Sequence, residues 1–152
     1  MSEQISGESL VRVLVIEDDP DDRELLRHQL RKSGMDSHVK FISDGKEAHD
    51  FLTGIGNSRL AEELIAIFLD LKLPSLGGLE LLRRLRIRED FQSIPVIVMT
   101  SSNDPKDIEE CRKLKVTNYV SKPITFTVFS KAVADVFHLP KTDVKPVSVP
   151  ST

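Results

Sequence analysis

The sequence predicts a doubly wound α/β domain, in which helices cover both faces of one parallel sheet. Five short apolar segments alternate along the chain with patterns typical of amphipathic helices. Two of these segments, Val11–Ile16 and Leu64–Asp70, are apolar almost throughout, as expected of strands buried on both faces. The 152 residues include 39% hydrophobic residues, enough for one core. We expect a domain at 11–138, preceded by an extension at 1–10 and followed by a flexible tail at 139–152.

The first strand, Val11–Ile16, ends in acidic residues, and a helix follows it at once. Asp19 is interpreted as the helix N-cap rather than as a ligand, because Pro20 follows at the favoured first helical position. The helix is predicted to run to about Lys32 and to end before Gly34. Its inward face is expected to carry three leucines: Leu25, Leu26 and Leu30.

A short strand, Val39–Ile42, precedes a second helix that Asp44 and Glu47 are expected to begin. A polar connection, Gly54 to about Glu62, then leads to the third strand, Leu64–Asp70. This strand is apolar and ends in an acid, as the first strand does.

The third helix follows Gly77 and Gly78, and the fourth strand is expected at Pro95–Thr100. Asp104 is predicted to cap a fourth helix that ends near Lys113, and the last strand covers Asn118–Ser121. Inward positions are assigned in the third helix to Leu79, Leu82 and Leu85, and in the last helix to Val128, Phe129, Ala132, Val133 and Val136. Four arginines lie in the third helix and the segment after it: Arg83, Arg84, Arg86 and Arg88. They are interpreted as a solvated face, and a docking patch for an acidic partner is the less favoured alternative.

Composition excludes several classes of protein. The 21 Lys and Arg residues against 24 Asp and Glu residues give a net charge of −3, which argues against nonspecific nucleic-acid binding. Cys111 is the only cysteine, so the chain can form no internal disulfide and no cysteine-based zinc site. No segment approaches the roughly 18 apolar residues of a membrane span. We therefore expect a cytoplasmic protein with no nucleic-acid or membrane partner.

Polar residues follow four of the predicted strands: Glu17 and Asp18, Asp70, Thr100, and Lys122. Ligands of such sheets bind at the carboxyl ends of the strands, where these side chains should meet. Carboxylate oxygens suit Mg²⁺, and the three acids with Lys122 sum to −2, which one divalent cation would neutralise. We therefore expect Mg²⁺ as the cofactor. Within this setting an aspartate can act as a nucleophile toward phosphorus, and Asp70 is the candidate. Thr100 and Lys122 would then bind phosphoryl oxygens.

Four segments together resemble the receiver domain of bacterial two-component response regulators: VLVIEDDPDD, IFLDLKLPSLGGLELL, VIVMTSS and NYVSKPI. The resemblance implies a flavodoxin-like sheet of strand order 2-1-3-4-5 with five helices. It also implies that Asp70 accepts the phosphoryl group and that Asp18 binds Mg²⁺ directly, with Glu17 acting mainly through water. The backbone carbonyl of Lys72 would be a further ligand.

By the same resemblance Lys122 binds the phosphoryl group, and the Lys122–Pro123 peptide bond is cis. Thr100 would be the switch hydroxyl that moves toward the phosphoryl group, and Tyr119 the aromatic ring that then turns inward. A half-buried strand aromatic without this role is the alternative for Tyr119. The chain departs from the common pattern at Lys72, where smaller polar residues are usual, and at Ser75–Gly77.

The expected function is that of a stand-alone response regulator. A sensor histidine kinase would donate the phosphoryl group, and the signal would pass to a downstream protein by contact. FLDLKLP and the Gly54–Glu62 connection are also similar to the single-domain regulators of phytochrome-type kinases. A homodimer through the last strand and last helices could use Phe126, Phe129 and Phe137, although these rings could equally well pack in the core.

Two other functions compete with this interpretation. A phosphorylation-independent adaptor would keep the fold without the chemistry, which the complete set of polar residues at the strand ends makes less favoured. A haloacid-dehalogenase-type phosphatase would also use a strand-end aspartate, Mg²⁺, a hydroxyl and a lysine. Those enzymes place a second aspartate two residues after the nucleophile, where this chain has Lys72. We therefore expect a phosphoacceptor switch rather than an enzyme.

Overall fold

The computed structural model describes residues 11–54, 60–101 and 104–137, without the side chains of Ala61 and Phe137. The predicted extension at 1–10 and tail at 139–152 lie outside the described residues. All five strands form one parallel sheet in the order β2-β1-β3-β4-β5, as predicted. The strands are β1 Val13–Ile16, β2 Val39–Ile42, β3 Ala66–Asp70, β4 Val96–Thr100 and β5 Asn118–Ser121.

Five longer helices connect or follow the strands: α1 Pro20–Lys32, α2 Gly45–Thr53, α3 Gly78–Arg86, α4 Pro105–Lys113 and α5 Phe126–Phe137. Asp19, Asp44 and Asp104 cap the first, second and fourth of them, each accepting a backbone N–H of the first turn. A 3₁₀ turn at Asp36–His38 and a one-turn helix at Leu60–Glu63 were not predicted. The latter interrupts the expected polar connection. None of the helices in the described ranges is long and apolar enough to cross a membrane.

The core has two parts, one on each face of the sheet. Helices α2, α3 and α4 cover one face, while α1 and α5 cover the other. Successive residues of β3 point to opposite faces, so that Ile67 joins the first cluster and Phe68 joins the second. Phe68 stacks on Phe129, with the ring centroids 4.7 Å apart. Phe129 is fully buried and therefore adopts the core alternative rather than an exposed dimer patch.

Some predicted inward positions are wrong. Leu25 is 47% exposed and Val128 is 39% exposed, although both helices bury their neighbouring positions. In α1 the buried pair is Leu26 and Leu30, four residues apart, and Leu25 lies about 100° around the helix from Leu26. In α3 the buried leucines are Leu81, Leu82 and Leu85, whereas Leu79 is only partly buried.

Candidate functional site

The parallel register brings the predicted site residues to one edge of the sheet. Ile16 pairs with Leu69, so Glu17 and Asp70 leave neighbouring strands at the same level. Thr100 ends β4 opposite Ser121 of β5, and the Lys122 backbone N–H donates to the Thr100 carbonyl at 2.8 Å. The edge therefore gathers side chains from four strands. The Lys122–Pro123 peptide bond is cis, as predicted.

Lys122 lies at the centre of this edge. Its Nζ is 2.9 Å from both carboxylate oxygens of Glu17 and 3.0 Å from Asp70 Oδ2. A third carboxylate, Asp22 Oδ2, lies 3.3 Å away. Burial by itself would lower the pKa of Lys122, but the hydrogen bonds to Glu17 and Asp70 outweigh it and raise that pKa. The ammonium therefore stays charged at neutral pH.

Glu17 is almost fully buried, at 3% exposed. Its Oε2 accepts the Asp19 backbone N–H at 2.9 Å as well as a hydrogen bond from Lys122. Burial raises the pKa of Glu17 to about 7, and the neighbouring charge of Asp70 adds to the rise, although both hydrogen bonds oppose it. The two hydrogen bonds therefore compensate the negative charge of Glu17 only in part, and a further cation would stabilise it.

Asp70 is the last residue of β3 and is 4% exposed. Its two oxygens have separate partners: Oδ1 accepts the Lys72 backbone N–H at 3.1 Å, and Oδ2 accepts from Lys122. Behind it, α3 begins at Gly78, where a Cβ would overlap the Asp70 carbonyl oxygen and lie 2.7 Å from Leu71 Cα. The close approach of this helix requires glycine and fixes the end of β3.

Three carboxylates are close enough to share one cation. Glu17, Asp18 and Asp70 each offer an oxygen, and these oxygens lie within 4.8 Å of one another. Asp18 is exposed, whereas the other two are buried. The set consists only of hard oxygen donors with one side open, which fits Mg²⁺ with water as its remaining ligand.

A cleft of about 530 Å³ opens over these residues. Its lining comprises Asp18, Asp19, Pro20, Asp21, Asp70, Lys72, Ser101 and Lys122. Sequence reasoning did not assign Ser101 or Asp22 to the site. Ser101 directly follows the predicted Thr100, so its position at a strand end was an available signal. Asp22 was interpreted only as a first-turn acid that favours the helix dipole.

Asp22 changes the charge of the site. With Lys122, the four acids Glu17, Asp18, Asp22 and Asp70 carry a formal charge of −3. The expected charge of −2 included neither Asp22 nor the other charged groups that line the cleft: Asp19, Asp21 and Lys72.

Thr100 and Tyr119 are in contact at this edge. Thr100 is 2% exposed and Tyr119 6% exposed, so the ring is more buried than the strand-aromatic alternative expected. Burial raises the pKa of Tyr119 to about 12, and a hydrogen bond with the Thr100 side chain acts in the opposite direction.

The fold and this edge can be compared with known proteins. The family model described as "Response regulator receiver domain" matches residues 13–134. The chain belongs to the response regulator receiver domain family. Receiver domains are phosphoacceptor switch domains and are generally not classed as enzymes.

Several similar solved structures are named as phytochrome response regulators. The bacteriophytochrome response regulator AtBRR is 35% identical, with a TM-score of 0.69, over 85% of this chain and 94% of that one. Rcp1 of Synechocystis is 32% identical over 72% of this chain and 75% of its own length. A Mn²⁺-bound structure of Rcp1 has a TM-score of 0.66 at 28% identity, covering 91% of this chain and 98% of that one.

A phosphorylated cyanobacterial phytochrome response regulator, RcpA, is also similar, at 27% identity and a TM-score of 0.68 over 84% of this chain and 91% of that one. The rice response regulator ORR1 is 30% identical over 78% of this chain, which spans only 52% of ORR1. Family membership and fold are therefore shared with proteins of different overall length.

Proposed function

We propose that this protein is a response regulator that accepts a phosphoryl group on Asp70 in a Mg²⁺-dependent reaction. The observation that carries the proposal is the environment of Asp70. A buried carboxylate at the end of a central strand is held by Lys122 and the Lys72 N–H, beside Glu17 and Asp18. The Mn²⁺-bound form of Rcp1 and the phosphorylated form of RcpA support it by similarity.

The transfer uses this chain's own groups as follows. A carboxylate oxygen of Asp70 forms the new O–P bond as the P–N bond of a kinase phosphohistidine breaks, and the departing imidazole nitrogen keeps the electron pair. When bound by Glu17, Asp18 and Asp70, with the Lys72 carbonyl as a further ligand, Mg²⁺ supplies charge neutralisation for the phosphoryl oxygens. Lys122 donates to one phosphoryl oxygen and the Thr100 hydroxyl to another.

The output is a population shift between two arrangements of the edge. A phosphoryl group adds about −1.5 to −2 charge, which attracts the Thr100 hydroxyl. Movement of Thr100, whose side chain contacts Tyr119, would change the position of this buried ring. The changed surface around the last strand and helices would then bind a downstream protein or a second copy. A phytochrome-type histidine kinase is the proposed donor, by similarity to the phytochrome response regulators AtBRR and RcpA.

Intact mass spectrometry after incubation with acetyl phosphate and Mg²⁺ tests the chemistry. The expected result is one phosphoryl adduct that is absent in Asp70→Asn and absent when metal is chelated. Asp135→Asn, which changes an exposed acid near the end of α5 that pairs with Lys131, is the control and should keep the adduct. A folded wild-type protein that acquires no adduct under these conditions would contradict the proposal and favour the adaptor.

A further inference from the structure

The ammonium of Lys122 has more carboxylate partners than the proposed chemistry uses. Its Nζ donates hydrogen bonds to Glu17 and Asp70, at 2.9 and 3.0 Å, and forms an ion pair with Asp22 at 3.3 Å. Three carboxylates therefore surround one ammonium, which has three N–H donors. A phosphoryl oxygen that binds Lys122 must compete with these carboxylates.

The three partners differ in what else they can do. Glu17 and Asp70 belong to the group of carboxylates that lie within 4.8 Å of one another, together with Asp18. Asp22 contacts the ammonium from the first turn of α1, and its side chain is 24% exposed. Its backbone N–H donates to Asp19 Oδ1 at 3.3 Å, which fixes the residue in the capped turn. A cation bound by the group of three would draw Glu17 and Asp70 away from Lys122 but would leave Asp22 in place.

We propose that Asp22 is a positioning residue for Lys122, which holds the ammonium when Glu17 and Asp70 bind the divalent cation. This role rests on the proposed function of the edge. It has an electrostatic reason. Without the Asp22 carboxylate, the ammonium depends on Glu17 and Asp70 alone, and a cation must compete with it for both. The Asp22 carboxylate therefore favours cation binding through Lys122, in addition to its direct attraction for positive charge.

The test is calorimetric titration of the folded protein with Mg²⁺ alone. Asp22→Asn should raise the Kd for Mg²⁺ by roughly three- to tenfold, a range that corresponds to about 0.6 to 1.4 kcal/mol. Glu24→Gln is the control, because it removes the same charge from an exposed position of the same helix that does not line the cleft. It should raise the Kd less than twofold. Asp22→Glu keeps the carboxylate and should restore most of the affinity.

The same pair of substitutions in a Lys122→Ala background separates positioning from direct attraction. If Asp22 acts through Lys122, its excess effect over Glu24 should vanish there. An excess that persists without Lys122, or equal effects of Asp22→Asn and Glu24→Gln in the parent protein, would overturn the proposal. Wild type that binds Mg²⁺ with this pattern but acquires no phosphoryl adduct would contradict the proposed function and leave the positioning role standing.

Discussion

Two partly buried cations lie at opposite edges of the sheet, and they are compensated in different ways. Lys122, at the carboxyl edge, is surrounded by three carboxylates. Within the described residues, Arg86 at the end of α3 donates hydrogen bonds only to backbone carbonyls. They belong to Phe91, Gln92, Ile94, Leu114 and Lys115, at 3.1, 3.4, 2.8, 2.7 and 3.3 Å. These segments lead into β4 and β5, at the amino edge.

The difference separates a site that can exchange partners from one that cannot. Carboxylates can be protonated or can bind a metal, so the partners of Lys122 are exchangeable. Carbonyl dipoles belong to the backbone, so the partners of Arg86 are fixed by the fold. Burial lowers the pKa of Arg86 to about 10, which still leaves the guanidinium charged at neutral pH. We infer that the carboxyl edge serves chemistry and the amino edge serves stability.

The largest effect should come from Lys122→Ala, measured as the rate at which the acetyl phosphate adduct forms. Loss of one donor to the developing phosphoryl charge should slow the reaction by roughly 10²-fold or more. Stability should change less, because Glu17 can take up a proton near neutral pH when its cation is removed. Lys131→Ala, an exposed lysine paired with Asp135, is the control. A Lys122→Ala protein phosphorylated at the wild-type rate would remove the distinction between the edges.

Arg86→Lys should show the opposite behaviour. The planar guanidinium of Arg86 donates to carbonyls of two separate segments, and a lysine ammonium cannot reach both sets. Some buried carbonyls would therefore lose their hydrogen-bond donors. We expect a loss of roughly 2 to 3 kcal/mol in the free energy of unfolding, measured with urea. The rate of adduct formation per folded molecule should stay unchanged. Arg84→Lys, on the exposed ion pair with Glu80, should cost under about 0.5 kcal/mol, and an equal loss in both variants would contradict the assignment.

Arg86 and Asp22 also show where sequence reasoning stops. Asp70 and Lys122 were found because a residue at the carboxyl end of a predicted parallel strand has a known position in the sheet. Asp22 was missed because its partner, Lys122, lies 100 residues away in the sequence. Its position in the first turn of α1 already explained an acidic residue there. Arg86 was assigned to a solvated face, although it lies four residues after the inward Leu82. Its partners are backbone carbonyls, which every residue carries, so no residue type in the sequence marks them.

Strand order and helix caps, in contrast, could be predicted because their causes are local or topological. Asp19 and Asp104 each precede a proline at a first helical position, and both accept first-turn N–H groups. The exposure of Leu25 and Val128 depends on how each helix is rotated against the sheet. Periodicity alone leaves that rotation uncertain by about one residue.

Gly78→Ala tests how firmly the scaffold fixes the reacting carboxylate. A methyl group there would overlap the Asp70 carbonyl oxygen, so α3 or the end of β3 must shift. We expect a loss of about 1 to 3 kcal/mol in stability together with slower adduct formation. Gly77→Ala is a close control, because its Cβ would meet the Leu71 carbonyl oxygen only at 4.0 Å. If both alanine variants behave alike, the close approach at Gly78 does not position Asp70.

The smallest effect concerns another ionisable group, Cys111 of α4, which is fully buried in the core. Burial raises the pKa of its thiol to about 12, and the nearby charges of Asp107 and Glu110 add to the rise. An unfolded thiol ionises near pH 8.5, so above that pH the unfolded chain binds fewer protons than the folded one. Stability should therefore fall as pH rises toward 12.

Between pH 8 and pH 10 this linkage should cost about 1 to 2 kcal/mol. Comparing urea unfolding of wild type and Cys111→Ala at both pH values isolates it, because only the wild type carries the thiol. A wild-type protein that loses no more stability than the variant would mean that the thiolate is tolerated in the core. Cys111 would then resemble Lys122, whose charge is compensated. The expected result makes it the neutral counterpart of both cations, because burial and the nearby carboxylates of Asp107 and Glu110 disfavour its anionic form.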